Sequence, residues 1–99
     1  MKVRELRVKF GTQHSFNKKA FVKKDDKGIE YLYSNYSLIL TNYGNALKFE
    51  EDSKLYSNAT MKHVREYLRQ AGRWDLALLS KSKLLKKLAA TNYIVLDIL

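Results

Sequence analysis

Lys62, Arg65, Arg69 and Arg73 follow one another at intervals of three and four residues, the spacing that lines side chains up along one face of an α-helix. Cations in such a row can rest on a nucleic-acid backbone, each releasing condensed counterions as it meets a phosphate. A second cluster, Lys83, Lys86 and Lys87, supplies further phosphate donors but no Asn, Gln or Arg to read base edges. The chemistry this suggests is sequence-independent contact with a polyanion. The same positions also suit solvated cations whose apolar stems cover the edge of a core.

Other chemistries find fewer parts. The chain has no cysteine, which excludes a disulfide framework, a thiolate zinc site and a cysteine nucleophile. Its histidines are His14 and His63. On a helix His63 and Glu66 share a face, but two ligands do not make a structural zinc site, and no metal or other cofactor is expected. The acidic run Glu50, Glu51 and Asp52 lacks the spacing of a calcium loop. No Ser/His/Asp or paired-carboxylate pattern surrounds His63, so it is expected as a surface or hydrogen-bonded residue and the protein as a non-enzyme. Tyr31, Tyr33, Tyr36 and Tyr43 crowd into one stretch and could stack on unpaired bases beside lysines, although tyrosine is equally at home in strands and protein interfaces. Alternation groups Tyr31 and Tyr33 with Ile29, which predicts them in the core. Trp74 is expected to plug the core or an interface.

These side chains need a scaffold, and composition limits what it can be. With 99 residues, one domain spanning residues 1–99 is expected, since two separate cores would each be too small to offset chain entropy. An apolar fraction of 45% and twelve aromatic residues argue for a folded chain. The formal charge of +9 implies attraction to polyanions. Nine of the nineteen Lys and Arg residues fall at or before Lys27, and eight run from Lys62 to Lys87. The molecule is therefore polarised if those two regions meet on one side. The opening MKVRELRVKF interleaves charge with apolar residues, unlike a signal peptide, and no apolar run approaches a membrane span. A soluble protein of a bacterial cytoplasm, or of the host cytoplasm if the gene is viral, is the expectation, with no membrane partner.

Along the chain, residues 2–10 alternate in their second half, with Leu6, Val8 and Phe10 on one face, which predicts a strand. Strand-like stretches follow at 20–23, 29–33, 37–41 and 46–49, separated by turn signals at DDKG, at Ser34 and Asn35, and at NYGN. Ser57 or Asn58 then caps a helix whose stripe is Met61, Val64, Leu68 and Ala71 with Tyr67 at its edge, and Gly72 ends it. RWDLALL is ambiguous between a helical turn and an extended segment. Ser80 or Ser82 opens a second helix through Ala90 with Leu84, Leu85 and Leu88 inside. Residues 93–99 read as a last strand with Ile94, Leu96 and Ile98 on its apolar face and Asp97 opposite, beside Tyr93 and Val95. That strand either sits centrally or pairs across a two-fold axis to give a homodimer. The string predicts an α+β fold, an antiparallel sheet of short strands packed by two helices with a C-terminal strand.

The segment YSNATMKHVREYLRQ, with Ser57, Thr60, His63, Tyr67 and Leu68 in sequence, resembles a helix-start pattern of small uncharacterised bacteriophage proteins in which short strands precede the motif. The resemblance covers a third to a half of the chain and assigns no catalytic or binding residue. It implies an accessory factor that contacts nucleic acid or inhibits a host protein. Read from the residues alone, Ser57, Asn58 and Thr60 are cap chemistry, with His63 able to bond back toward the cap.

Two functions follow as expectations. The first is a non-enzymatic accessory domain that binds nucleic acid through Lys62, Arg65, Arg69, Arg73, Lys83, Lys86 and Lys87. A helix-turn-helix version of it, with residues 82–90 as the reading helix, is disfavoured because RWDLALL is longer than the usual short turn. The second is a protein-interaction module, such as a phage inhibitor of a host protein, using an edge strand or an aromatic patch at Tyr36, Tyr43 and Trp74.

Overall fold

A computed structural model describes residues 1–96. The strands β1 (Lys2–Glu5), β2 (Ala20–Lys24), β3 (Glu30–Ser34), β4 (Ser37–Asn42), β5 (Ala46–Phe49) and β6 (Ile94–Leu96) form one antiparallel sheet in sequence order. Between β5 and β6 come a single 3₁₀ turn (Ser53–Leu55) and the helices α1 (Asn58–Gln70), α2 (Trp74–Ala77) and α3 (Lys81–Ala90). The expected α+β architecture is therefore present, and RWDLALL resolves into the one-turn helix α2.

Local chemistry explains the meander. Asp25 Oδ1 accepts from the N–H groups of Lys27 and Ile29 at 2.9 and 3.0 Å, so the DDKG turn closes on its own first side chain. The β3–β4 hairpin turns on Asn35 and Tyr36, both at positive φ (50° and 69°), the backbone a two-residue type I′ loop requires. Ser34, expected in that turn, is instead the last and buried residue of β3. Ser57 Oγ caps α1 by accepting from Thr60 N at 3.1 Å. At the other end Gly72 lies at φ 78°, with Gly72 N–H donating to Arg69 O and Arg73 N–H to Leu68 O, the paired bonds of a Schellman stop.

Register decides what faces the helices. Val22, Leu32, Leu40 and Phe49 are consecutive cross-strand partners and all are buried. Tyr67 on α1 donates to Glu30 at 2.7 Å and accepts from Asn42 at 3.0 Å, both residues on that same face. The core adds Met61, Val64, Leu68, Leu84 and Leu88, each full burial contributing about 1.5–3 kcal/mol.

Four expectations are corrected. The first strand ends at Glu5 rather than Phe10: after Leu6, whose N–H still donates to Ala20 O, the chain leaves the sheet and its amides turn to α1. Tyr31 and Tyr33 lie on the sheet face away from α1, because Leu32 and Ser34 occupy the inward positions, and Lys23 Nζ sits 4.6 Å above the Tyr33 ring. In β6 the inward residue is Val95, paired with Leu47, while Ile94 and Leu96 are exposed. The expected positions of Asp97 and Ile98 fall outside the described residues. The buried face of α1 carries Thr60, His63 and Glu66 alongside its apolar stripe, and Ala71 is exposed. That rotation of the helix is what builds the polar features below.

Candidate nucleic-acid interface

Residues 7–16 have left the sheet and fold back over α1. Glu66, 1% exposed, holds them there: its carboxylate accepts from the N–H groups of Lys9 (3.2 Å), Phe10 (3.1 Å) and Gly11 (2.8 Å). Gln70 donates to the same carboxylate at 2.7 Å and to Arg7 O at 2.6 Å. Burial alone would raise the Glu66 pKa, but these donors from Gln70, Gly11, Lys9 and Phe10 outweigh it and hold the carboxyl below its ordinary value. Glycine at position 11 lets the strap approach closely, since a Cβ there would stand 3.3 Å from both Glu66 Oε1 and Val8 Cγ1.

Between this strap and α1 runs a cleft of about 290 Å³. Phe16 closes one part of it and stacks edge-on against the His63 ring at 4.5 Å. Lys62, Arg65 and Arg69 line it, together with Phe10 from the strap. The ion pairs among the described residues are Arg4–Glu30, Arg73–Asp75 and the N-terminus with Asp26, so no carboxylate lies within ion-pair range of the three cleft cations. The one acid beneath them, Glu66, is already saturated by backbone and amide donors.

The structure thus brings together three of the seven basic residues singled out from the sequence. Arg73 pairs with Asp75 at 3.0 Å through a second, parallel bond of 3.1 Å and does not line the cleft. Lys83, Lys86 and Lys87 project from α3, with Lys83 and Lys86 exposed and Lys87 half-buried, and none of them lines it either.

His63 is hydrogen-bonded and buried at 4% exposure. Its Nδ1 and Ser34 Oγ share a bond of 2.7 Å, and Ser34 Oγ also meets Thr60 Oγ1 at 3.0 Å, which ties the α1 cap to the sheet. Burial, with Lys19 nearby, lowers the His63 pKa and favours the neutral ring. Ser34 is 1% exposed, so the pair is sealed in the core rather than open to a substrate. No cluster of three or more potential metal-ligating side chains occurs among the described residues.

Sequence reasoning missed Glu66 and Phe10. The Glu66–Gln70 spacing of four residues was a local sign of a polar pair, but nothing local indicates a carboxylate that captures amides 55 to 57 positions upstream. The chain belongs to a family of unknown function (DUF8033), whose model matches residues 4–83. The whole cleft lies inside that segment, while Lys86, Lys87 and β6 lie beyond it. No curated protein and no solved structure matches the chain.

Proposed function

We propose that this chain is a non-enzymatic accessory domain that binds nucleic acid through phosphate contacts along the α1 cleft. The observation that carries the reading is the convergence of Lys62, Arg65 and Arg69 on one cleft with no carboxylate partner among the described residues, above an acid whose lone pairs are spent internally. From Lys62 to Arg69 the helix advances about 10 Å, room for on the order of three phosphates at ~3.4 Å per nucleotide. Arg73, neutralised by Asp75, adds little, and the α3 lysines act at longer range.

Fluorescence-anisotropy titrations against labelled duplex DNA, single-stranded DNA and RNA at several salt concentrations test this. Neutralising three phosphates predicts a log–log salt slope of about −2 to −3. Charge reversal of Lys62, Arg65 and Arg69 together is expected to abolish binding, and reversal of Lys83, Lys86 and Lys87 to weaken it less. Absence of binding to all three ligands at low salt sinks the proposal.

A second reading, a module that captures a protein partner such as a host factor, draws support from the sheet face opposite α1. Val3, Lys23, Tyr31, Thr41, Lys48 and Ile94 form one cross-strand row there, with Val3 57% and Ile94 44% exposed. Val3 and Ile94 lie on the edge strands β1 and β6, where exposed apolar side chains suit pairing with a partner. No helix among the described residues is long and apolar enough to cross a membrane.

A further inference from the structure

Resting on the nucleic-acid reading of the cleft, we infer that the site selects unpaired nucleotides, seating a base against the Phe10–Trp74 ring pair while the adjoining phosphates lie along Arg69, Arg65 and Lys62. Phe10 and Trp74 meet edge to face, with ring centroids 5.2 Å apart and planes at 80°. Both remain open to solvent, at 52% and 42% exposure, which is a large apolar area to leave uncovered beside three cations. Phe10 itself lines the cleft.

The two rings arrive from distant parts of the chain, and each is held. The N–H of Phe10 donates to both carboxylate oxygens of Glu66, at 3.1 and 3.3 Å, which fixes the backbone under the ring. Trp74 is placed by the stop of α1, where Gly72 N–H donates to Arg69 O and Arg73 N–H to Leu68 O, so that the chain reverses directly after the last cleft cation. The Arg73–Asp75 pair flanks Trp74 and keeps the Arg73 guanidinium engaged beside it. Rings held in advance of binding lose little freedom when a ligand arrives.

A cationic groove with aromatic faces is the arrangement that binds single strands without reading sequence, since every base has a π-face and only an unpaired one can turn out to reach it. In a duplex the bases are stacked inside, and the protruding rings would meet only backbone. The edge-to-face geometry leaves a face for a third ring, because at 80° the two planes cannot cover each other. Chain chemistry, a phosphodiester strand with unpaired bases, defines the ligand class, and both DNA and RNA meet it.

Trp74 is the single tryptophan of the chain, so its emission reports this site alone. The full-length protein is titrated at one fixed salt concentration with a thymidine 12-mer, a uridine 12-mer and a DNA duplex of equal length, following both Trp74 emission and anisotropy of the labelled nucleic acid. Quenching of Trp74 by either single strand, with affinity about ten-fold above the duplex, is expected from the usual contribution of one base–aromatic stack. Phe10→Leu retains an apolar, half-exposed side chain and is expected to bring the affinity for single strands down toward that for the duplex. Equal affinity for all three ligands with no quenching overturns the inference and leaves phosphate contact standing. Absence of binding to any of them removes both.

Discussion

Glu66 is a charged group at 1% exposure whose stability rests on donors rather than on a cation. One turn earlier on the same buried face of α1, His63 is a neutral ring at 4% exposure. The two should therefore respond to acid in separate windows. Because the folded pKa of His63 lies below its ordinary value of 6.5, the unfolded chain binds the proton first, and stability declines as pH falls from about 6.5 toward the folded value. Glu66, held below its ordinary 4.5, contributes stability that is complete above that value and is lost as pH falls through its lower folded pKa. Asp75, held low by Arg73, adds to the second window. Urea titrations from pH 8 to 3 check this: His63→Gln should flatten the first decline. Glu66→Gln should remove part of the second and cost about 2 kcal/mol at neutral pH, because an amide turns N–H donors toward the amides of Lys9 and Phe10. If Glu66→Gln leaves the neutral-pH midpoint unchanged, the carboxylate does not anchor the strap.

Between elements, the recurring device is an asparagine followed by a second residue in the left-handed region: Asn17–Lys18, Asn35–Tyr36 and Asn92–Tyr93. Asparagine tolerates that backbone, while lysine and tyrosine do so at a cost of about 1–2 kcal/mol. Tyr36 has little packing to offset the strain, at 92% exposure. Tyr36→Gly should therefore stabilise the protein by about 0.5–1 kcal/mol after the greater chain entropy of glycine is counted, read as a raised urea midpoint with unchanged m-value. A lowered midpoint would show that the ring holds the hairpin through contacts its exposure conceals. The turns and caps at Asp25, Ser57, Gly72 and Ser80 were legible because each is made by residues within five positions of one another. The faces of β3 and β6 were not. Around β3 the outward side reads Ile29–Tyr31–Tyr33 and the inward side Glu30–Leu32–Ser34, and in β6 Ile94 and Leu96 flank a buried Val95, so alternation identifies each strand but points to the wrong side. The second half of the supposed first strand failed for another reason: Val8 and Phe10 alternate as a strand would, but the amides of Lys9, Phe10 and Gly11 donate to the Glu66 carboxylate, far along the chain.

For the molecule as a whole, the spacing of Lys62, Arg65 and Arg69 foretold that they share a surface, and Arg73 is engaged by Asp75 only two residues on, while the separation of the α3 lysines depends on how α3 docks, which no local pattern encodes. That surface has an energetic consequence. With a formal charge of +9 and no acidic partner for the cleft cations among the described residues, the unbound fold carries self-repulsion concentrated on α1. Salt shortens the range of that repulsion from ~30 Å at 0.01 M to ~8 Å at 0.15 M, so the wild-type urea midpoint should rise between those conditions. Reversing Lys62, Arg65 and Arg69 to glutamate lowers the formal charge by six, to +3. That variant should be more stable than wild type at low salt by about 1 kcal/mol and nearly indifferent to salt, while losing its hold on nucleic acid. Urea titrations of both proteins at the two salt concentrations decide the matter. A variant less stable than wild type at low salt would mean that the apolar stems of these residues, covering the core edge beneath the strap, matter more to the fold than the repulsion between their heads.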